Sequence, residues 1–186
     1  MTIGLLLVDL QNDYFPGGKM ELAEPEQAAR KAGALLAAFR EKNRPVFHIR
    51  HLSVGPGATF FVPDTAGVRI HDSVQPLTGE SVVEKNFPNS FRETELETII
   101  RAGGVTELII CGAMSHMCID ATTRAAADLG FTCTVIHDAC TTKSLEFAGR
   151  TIPAPEVHGA FMAALGAAYA QVMSTTDFLA GLVRTD

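Results

Sequence analysis

The sequence lacks the patterns that mark several large classes of protein. Its four cysteines form no C-x-x-C pair, which disfavours a zinc ribbon and a disulfide framework. No G-x-G-x-x-G follows an apolar run and the first loop is acidic, so a nucleotide-binding Rossmann module has no support. The net charge of −6 offers no general attraction to nucleic acid or to anionic lipid.

Long apolar segments are also missing. The longest alanine-rich stretch, residues 159–173, is shorter than the roughly 20 residues that a membrane span needs. The N-terminus has no basic segment, and Asp9 interrupts the first apolar run too early for a signal peptide. We therefore expect a cytoplasmic protein whose partners include neither nucleic acid nor a membrane.

What the sequence does contain is an alternation of apolar strands and amphipathic helices. With 186 residues, of which 47% are apolar and 19% charged, we expect one domain over residues 1–186. The alternation predicts a three-layer α/β/α fold with a mostly parallel, Rossmann-like sheet of about six strands. The predicted strands are 3–8, 45–49, 81–84, 108–111, 132–136 and 171–174, and the predicted helices are 25–40, 94–102, 118–129 and 155–169.

One turn organises the rest of the chain. Between the strand 108–111 and the helix that begins at Cys118, the tight turn Gly112–Met117 delivers a cysteine to the first residues of a helix. There the positive end of the helix dipole favours a thiolate, although a free cysteine is more often a structural core residue. Cys111 and Cys133 lie inside apolar strands and are predicted to be core, and Cys140 is predicted to lie in a loop.

Two other strand ends carry complementary groups. In a parallel α/β sheet the carboxyl ends of the strands form the site, and Asp9 and Lys85 stand at two of these ends. Asp9 can take the proton of the Cys118 thiol, Lys85 can stabilise the thiolate, and Cys118 can attack a carbonyl carbon. Asp9, facing Lys85 at an open strand end, is not expected to hold the core together.

These motifs give the chain a family resemblance. Leu7–Asp13 at the first strand end, Glu84-Lys85 followed by Asn89–Phe91, and Gly112–Cys118 resemble the isochorismatase-like cysteine hydrolases, which include nicotinamidases and related amidohydrolases. The resemblance covers nearly the whole chain. It implies a catalytic triad of Asp9, Lys85 and Cys118, and it implies a homo-oligomer, a dimer or larger.

The resemblance also implies the shape of the nucleophile turn and the reaction. It places a cis peptide bond between Ala113 and Met114 and an oxyanion hole at the backbone N–H groups of Met114 and Cys118. The implied reaction hydrolyses a small amide, imide or lactam through a Cys118 thioester. The alternatives are the family's vinyl-ether hydrolysis and a binding protein that keeps the fold without turnover.

Metal-dependent members of the family hold a divalent ion after the second strand with one Asp and two His. This chain has Arg50-His51 where the Asp is expected. The three-residue spacing of His48 and His51 sends their side chains to opposite faces of a strand. We therefore predict no metal and no cofactor.

The substrate pocket is the least determined part of the site. The segment 52–80 has little periodicity and several Gly and Pro residues, and a loop of this length is usually functional or mobile. Loop aromatics near the site, together with a turn histidine, are expected to contact a small-molecule substrate, although loop aromatics also fill small secondary cores. These pocket candidates are Phe15, Phe60, Phe61, Phe91 and His116.

Overall fold

A computed structural model describes residues 2–183. Its eight strands are β1 Thr2–Val8, β2 Val46–His51, β3 Ser81–Lys85, β4 Val105–Ala113, β5 Thr132–Thr141, β6 Leu145–Phe147, β7 Arg150–Ile152 and β8 Gln171–Met173. Six of them form one parallel sheet in the order β3-β2-β1-β4-β5-β8. The short strands β6 and β7 pair antiparallel as a separate hairpin.

Five α-helices cover this sheet in a three-layer α/β/α arrangement. They are α1 Pro25–Glu41, α2 Leu96–Ala102, α3 Asp120–Asp128, α4 Ala154–Ala168 and α5 Thr175–Val183. Helices α1 and α5 pack against each other, and α3 packs against α4. Within the described residues, no helix combines the length and the apolar character needed to cross a membrane.

The inner parts of the central strands are continuously apolar because both faces of the sheet are covered there. Leu5 and Leu6 in β1, and Ile109 and Ile110 in β4, are completely buried. Each such side chain contributes roughly 1.5–3 kcal/mol relative to an exposed one. The lack of hydrophobic alternation in these strands is the expected signature of a parallel sheet between two helical layers.

A glycine lets the two central strands meet at the site. Val8 pairs in register with Gly112, which has φ of 128° and would bring any Cβ into collision with the Val8 carbonyl oxygen. This close approach sets the end of β1 beside the turn that follows β4. Residue 9 and residues 113–118 therefore lie side by side at the carboxyl edge of the sheet.

The predicted strands and helices are confirmed, with differences at their ends. Strand β5 runs to Thr141 and contains Cys140, so the prediction that Cys140 lies in a loop is wrong. The predicted helix at Cys118 begins instead with a π-helical turn, Ser115–Ile119, before α3. The β6–β7 hairpin and α5 were not predicted.

Candidate active site

The structure brings the three predicted site residues together at the carboxyl edge of the sheet. The Lys85 ammonium lies 2.7 Å from Asp9 Oδ2 and donates a hydrogen bond to Cys118 Sγ at 3.1 Å. A carboxylate oxygen of Asp9 and the Cys118 sulfur lie within 4.8 Å of each other. Because β3 is separated from β1 by β2, the long Lys85 side chain has to cross the end of β2 to make these contacts.

Asp9 is held in a tightly constrained position just after β1. Its φ is 52°, in the left-handed region, and its backbone N–H donates to the Ile49 carbonyl at 3.1 Å. The residue is fully buried, and its Oδ2 lies 2.7 Å from the Lys85 ammonium. The ammonium of Lys85 therefore compensates the charge, and the carboxylate keeps acceptor capacity for a proton or a water molecule.

Burial sets the protonation of the other two groups. Burial and the nearby Asp9 carboxylate raise the pKa of the Cys118 thiol above its ordinary value, and Lys85 opposes them only in part. Burial alone would lower the pKa of Lys85, but Asp9 and Cys118 outweigh it and raise that pKa. The favoured resting state is thiol plus ammonium, so the expectation of a stable thiolate from the helix dipole is wrong for the free enzyme.

The turn that leads to Cys118 is held from two sides. The peptide bond between Ala113 and Met114 is cis, and the Met114 carbonyl accepts hydrogen bonds from the N–H groups of Met117 at 3.0 Å and Ile119 at 3.2 Å. The buried Ser115 hydroxyl donates to the Thr141 carbonyl at 3.2 Å and bonds His158 Nδ1 of α4 at 2.8 Å. The position of Cys118 is therefore fixed by contacts to both β5 and α4.

Two residues that the sequence did not assign belong to the site. His51 Nδ1 lies 3.0 Å from the Lys85 ammonium and 4.0 Å from Asp9 Oδ2. The buried side chain of Gln11 accepts from the His51 N–H at 2.7 Å and donates to the His51 carbonyl at 2.9 Å. The signal that could have identified His51 is the parallel register, which pairs it with Lys85 at the ends of β2 and β3.

These residues do not fit a divalent metal. Ligand atoms of Asp9, His51 and Cys118 cluster within 4.8 Å, but the Lys85 ammonium lies 2.7–3.1 Å from all three. A fixed positive charge stands where the cation would have to stand. His48 points away, as its spacing predicts, and bonds Glu80 at 2.9 Å.

Three of the four predicted pocket aromatics form one cluster beside the site. Phe15, Phe60 and Phe61 pack with Tyr14 and Met114. Phe61 lies with its ring centre 4.5 Å from that of Tyr14 and 5.9 Å from that of His51. Phe15 and Phe61 are buried in this cluster, so it forms a small secondary core beside the site.

The other two pocket candidates are placed differently. Phe91 is half-buried and packs against the main core, with its ring centre 6.1 Å from that of Phe131, so it lies apart from the aromatic cluster. The residues around Phe91 in the sequence do not indicate that it packs against the core. His116 is half-buried, and its Nδ1 bonds the Thr142 hydroxyl at 2.6 Å.

The long segment 52–80 is anchored to the site. Phe61 N–H donates to the buried Asp13 carboxylate at 2.6 Å, and the Gln11 side chain donates to the Val68 carbonyl at 2.8 Å. The residues that hold this segment thus come from the loop directly after β1, next to Asp9. The order of the segment and the geometry of the site depend on the same few residues.

The fold and this cluster define a class of protein before any comparison: an α/β/α enzyme with a buried carboxylate, ammonium and thiol at the carboxyl edge of its sheet. The family model of the isochorismatase domain matches residues 4–177, so the chain belongs to the isochorismatase family and is a hydrolase.

Relatives extend this assignment. The isochorismatase family protein YddQ of Bacillus subtilis is 52% identical over 96% of this chain and 99% of its own length. A streptothricin hydrolase of Streptomyces noursei is 35% identical over 81% of this chain and 54% of its own length. A crystal structure of a proposed isochorismatase hydrolase from Oleispira antarctica superposes with a TM-score of 0.93, at 50% identity and 96% coverage of each chain.

Proposed function

We propose that the protein hydrolyses the C–N bond of a small amide, imide or lactam through a thioester on Cys118. The observation that carries the proposal is the burial of Asp9, Lys85 and Cys118 in mutual contact, with exposures of 0%, 1% and 4%. A base, a fixed cation and a nucleophile at these distances are the groups that acyl transfer requires. The streptothricin hydrolase relative supports hydrolysis as the reaction class.

The first half-reaction transfers one proton and one acyl group. As Cys118 Sγ attacks the carbonyl carbon, its proton passes to Asp9, and a tetrahedral oxyanion forms. The backbone N–H groups of Met114 and Cys118 stabilise this oxyanion. The intermediate collapses when Asp9 returns the proton to the leaving nitrogen, and the acyl group stays on sulfur. The nitrogen of an open-chain amide departs as ammonia or an amine, whereas that of a lactam or cyclic imide remains attached to the ring-opened acyl group.

The second half-reaction reverses these roles. Asp9 accepts a proton from water, the resulting hydroxide attacks the thioester carbon, and the acid is released as the proton returns to the Cys118 sulfur. In both half-reactions Asp9 is the group that accepts the proton and then returns it.

Charge conservation within the buried site explains why the thiol does not need to be ionised beforehand. Carboxylate, ammonium and thiol together are neutral. Transfer of the proton from Cys118 to Asp9 gives thiolate, ammonium and carboxylic acid, which is again neutral. Loss of the thiol proton to solvent would instead leave a net negative charge in a buried site, which is costly. The nucleophile is therefore activated at the moment of attack.

The test is ammonia release from a panel of small primary amides, and chromatographic detection of the ring-opened amic acid from cyclic imides, with Cys118→Ala as the inactive control. We expect the wild-type protein to turn over members of the panel and the variant to be inactive. Rapid acid quench, digestion and mass spectrometry should show an acyl adduct on the peptide that contains Cys118. Turnover that survives in Cys118→Ala would refute the proposal.

We also propose a reducing compartment, the cytoplasm, and a homo-oligomeric state. All four cysteines are free and buried, which is typical of a protein that is not stabilised by disulfides. The oligomeric state can be measured by light scattering after size exclusion.

A further inference from the structure

His51 stands in direct contact with the proposed triad, yet the reaction scheme does not use it. Its backbone is clamped through both polar groups by Gln11, whose side chain is completely buried. Its ring is fixed on one side by Lys85 at 3.0 Å. These contacts hold the His51 imidazole in one orientation beside the triad.

The Lys85 contact determines which ring nitrogen carries the proton. An ammonium only donates, so Nδ1 of His51 has to accept. Burial and the charge of Lys85 both lower the pKa of His51, which keeps the imidazole neutral near pH 7. A neutral ring whose Nδ1 accepts carries its hydrogen on Nε2.

The Nε2–H group is free to meet a ligand. No residue among 2–183 hydrogen-bonds it, and 16% of the His51 side chain remains exposed although its neighbour Lys85 is fully covered. Phe61, Phe60 and Tyr14 pack beside the ring, with Phe60 half-buried and the other two buried. A ring nitrogen of His51 lies within 4.8 Å of the Cys118 sulfur. Because Nδ1 faces Lys85, Nε2–H lies on the other side of the same ring and is a polar donor in the neighbourhood of the sulfur.

We propose that His51 is a substrate-binding residue whose Nε2–H donates to an acceptor atom of the substrate close to the scissile carbonyl. The inference rests on the proposed function and narrows its substrate class. The favoured substrates are small amides or imides with a second carbonyl oxygen or an acceptor nitrogen one or two bonds from the carbonyl that Cys118 attacks. Plain aliphatic amides leave the donor unpaired and are poor substrates.

Two pairs of amides with matched shapes test this. Oxamide and isobutyramide have the same heavy-atom skeleton, as do malonamide and isovaleramide, but only the first of each pair has the second carbonyl. In the wild-type protein we expect kcat/KM to be about tenfold higher for the acceptor-bearing member of at least one pair, the worth of one neutral hydrogen bond. In His51→Phe, which keeps the ring shape, this preference should disappear. His137→Gln, a histidine outside the site, is the matched control and should keep it.

The outcome is interpretable whether or not these amides are turned over. A preference that is absent in the wild type, or unchanged in His51→Phe, overturns the His51 proposal while leaving the thioester chemistry intact. If no amide releases ammonia, the proposed function fails for this class, and the same pairs are compared by calorimetric binding to Cys118→Ala. Equal affinities within a pair then overturn the His51 proposal.

The tautomer provides a readout that needs no substrate. In the long-range ¹H–¹⁵N spectrum of the ¹⁵N-histidine-labelled protein at pH 7, we expect the signal that is lost in His51→Phe to show a protonated Nε2 and an unprotonated Nδ1. An Nδ1–H tautomer or an imidazolium would contradict the proposal.

Discussion

Replacing Asp9 by Asn separates the chemical role of the carboxylate from its structural role. The substitution keeps the shape of the side chain but removes the proton acceptor and the negative charge. Lys85 then stands fully buried without the carboxylate 2.7 Å away. Removing one partner of a buried ion pair costs about 3–5 kcal/mol, since the other charge is left uncompensated.

This magnitude contradicts the sequence-based expectation that Asp9 has little effect on stability. That expectation assumed an open strand end, whereas both side chains have 0% exposure. For a chain of this length, about 2–4 °C of melting temperature accompany each kcal/mol, so Asp9→Asn should melt roughly 6–20 °C below the wild type. Its turnover should fall about 10²–10⁴-fold, the usual contribution of a general acid–base group.

The double variant Asp9→Asn with Lys85→Met is the control. It removes both charges, so most of the lost stability should return while activity stays absent. Calorimetry and ammonia release on the wild type, both single variants and the double variant complete the cycle. An Asp9→Asn protein that melts within 2 °C of the wild type, or one that retains near-normal turnover, would refute the reasoning.

Three further outcomes are expected. Iodoacetamide should label Cys118 ahead of Cys111 and Cys133 near neutral pH, because Asp9 can accept the thiol proton during attack. If mass spectrometry shows that Cys118 is labelled as fast in Asp9→Asn as in the wild type, the thiol proton does not pass to Asp9. Dialysis against a strong chelator should leave turnover intact, and activity that returns only with added zinc or manganese would overturn the conclusion that Lys85 takes the cation position. The free energy of unfolding should fall as pH drops from about 7 to 5, since the unfolded state binds more protons wherever folding lowers a histidine pKa; a flat urea-denaturation profile would contradict the lowered pKa values of His48, His51, His71, His116 and His158.

The parts of the fold that the sequence predicted are those with strong local signals. Strands β1 and β4 each contain a continuous apolar run, and Asp9 and Lys85 mark strand ends directly. Since parallel strands end at one edge of the sheet, the convergence of these residues with Cys118 followed from the order of elements.

The errors arose where tertiary contacts decide the outcome. The pKa direction of Cys118 depends on its burial beside Asp9, and a helix-dipole argument from the sequence contains neither term. Phe91 and Phe15 are both loop phenylalanines, and only packing distinguishes the one against the main core from the one in the cluster beside the site. His51 could be assigned to the site only from the β2–β3 register, which pairs it with Lys85. The spacing of residues within either strand does not determine that register.

The pairing of segment 66–71 with the loop after β1 has a consequence for how this enzyme can be altered. Asn12 N–H donates to the Arg69 carbonyl, Asp13 N–H to Gly67, and His71 N–H to Leu10, all within 3.0 Å. Residues 66–71, the base of the segment, are held in place by these three hydrogen bonds, whereas residues 54–57, its tip, are exposed. Insertions and exchanges at the tip should therefore be tolerated and can reshape what enters the site, while changes at the base would move Asp9 itself.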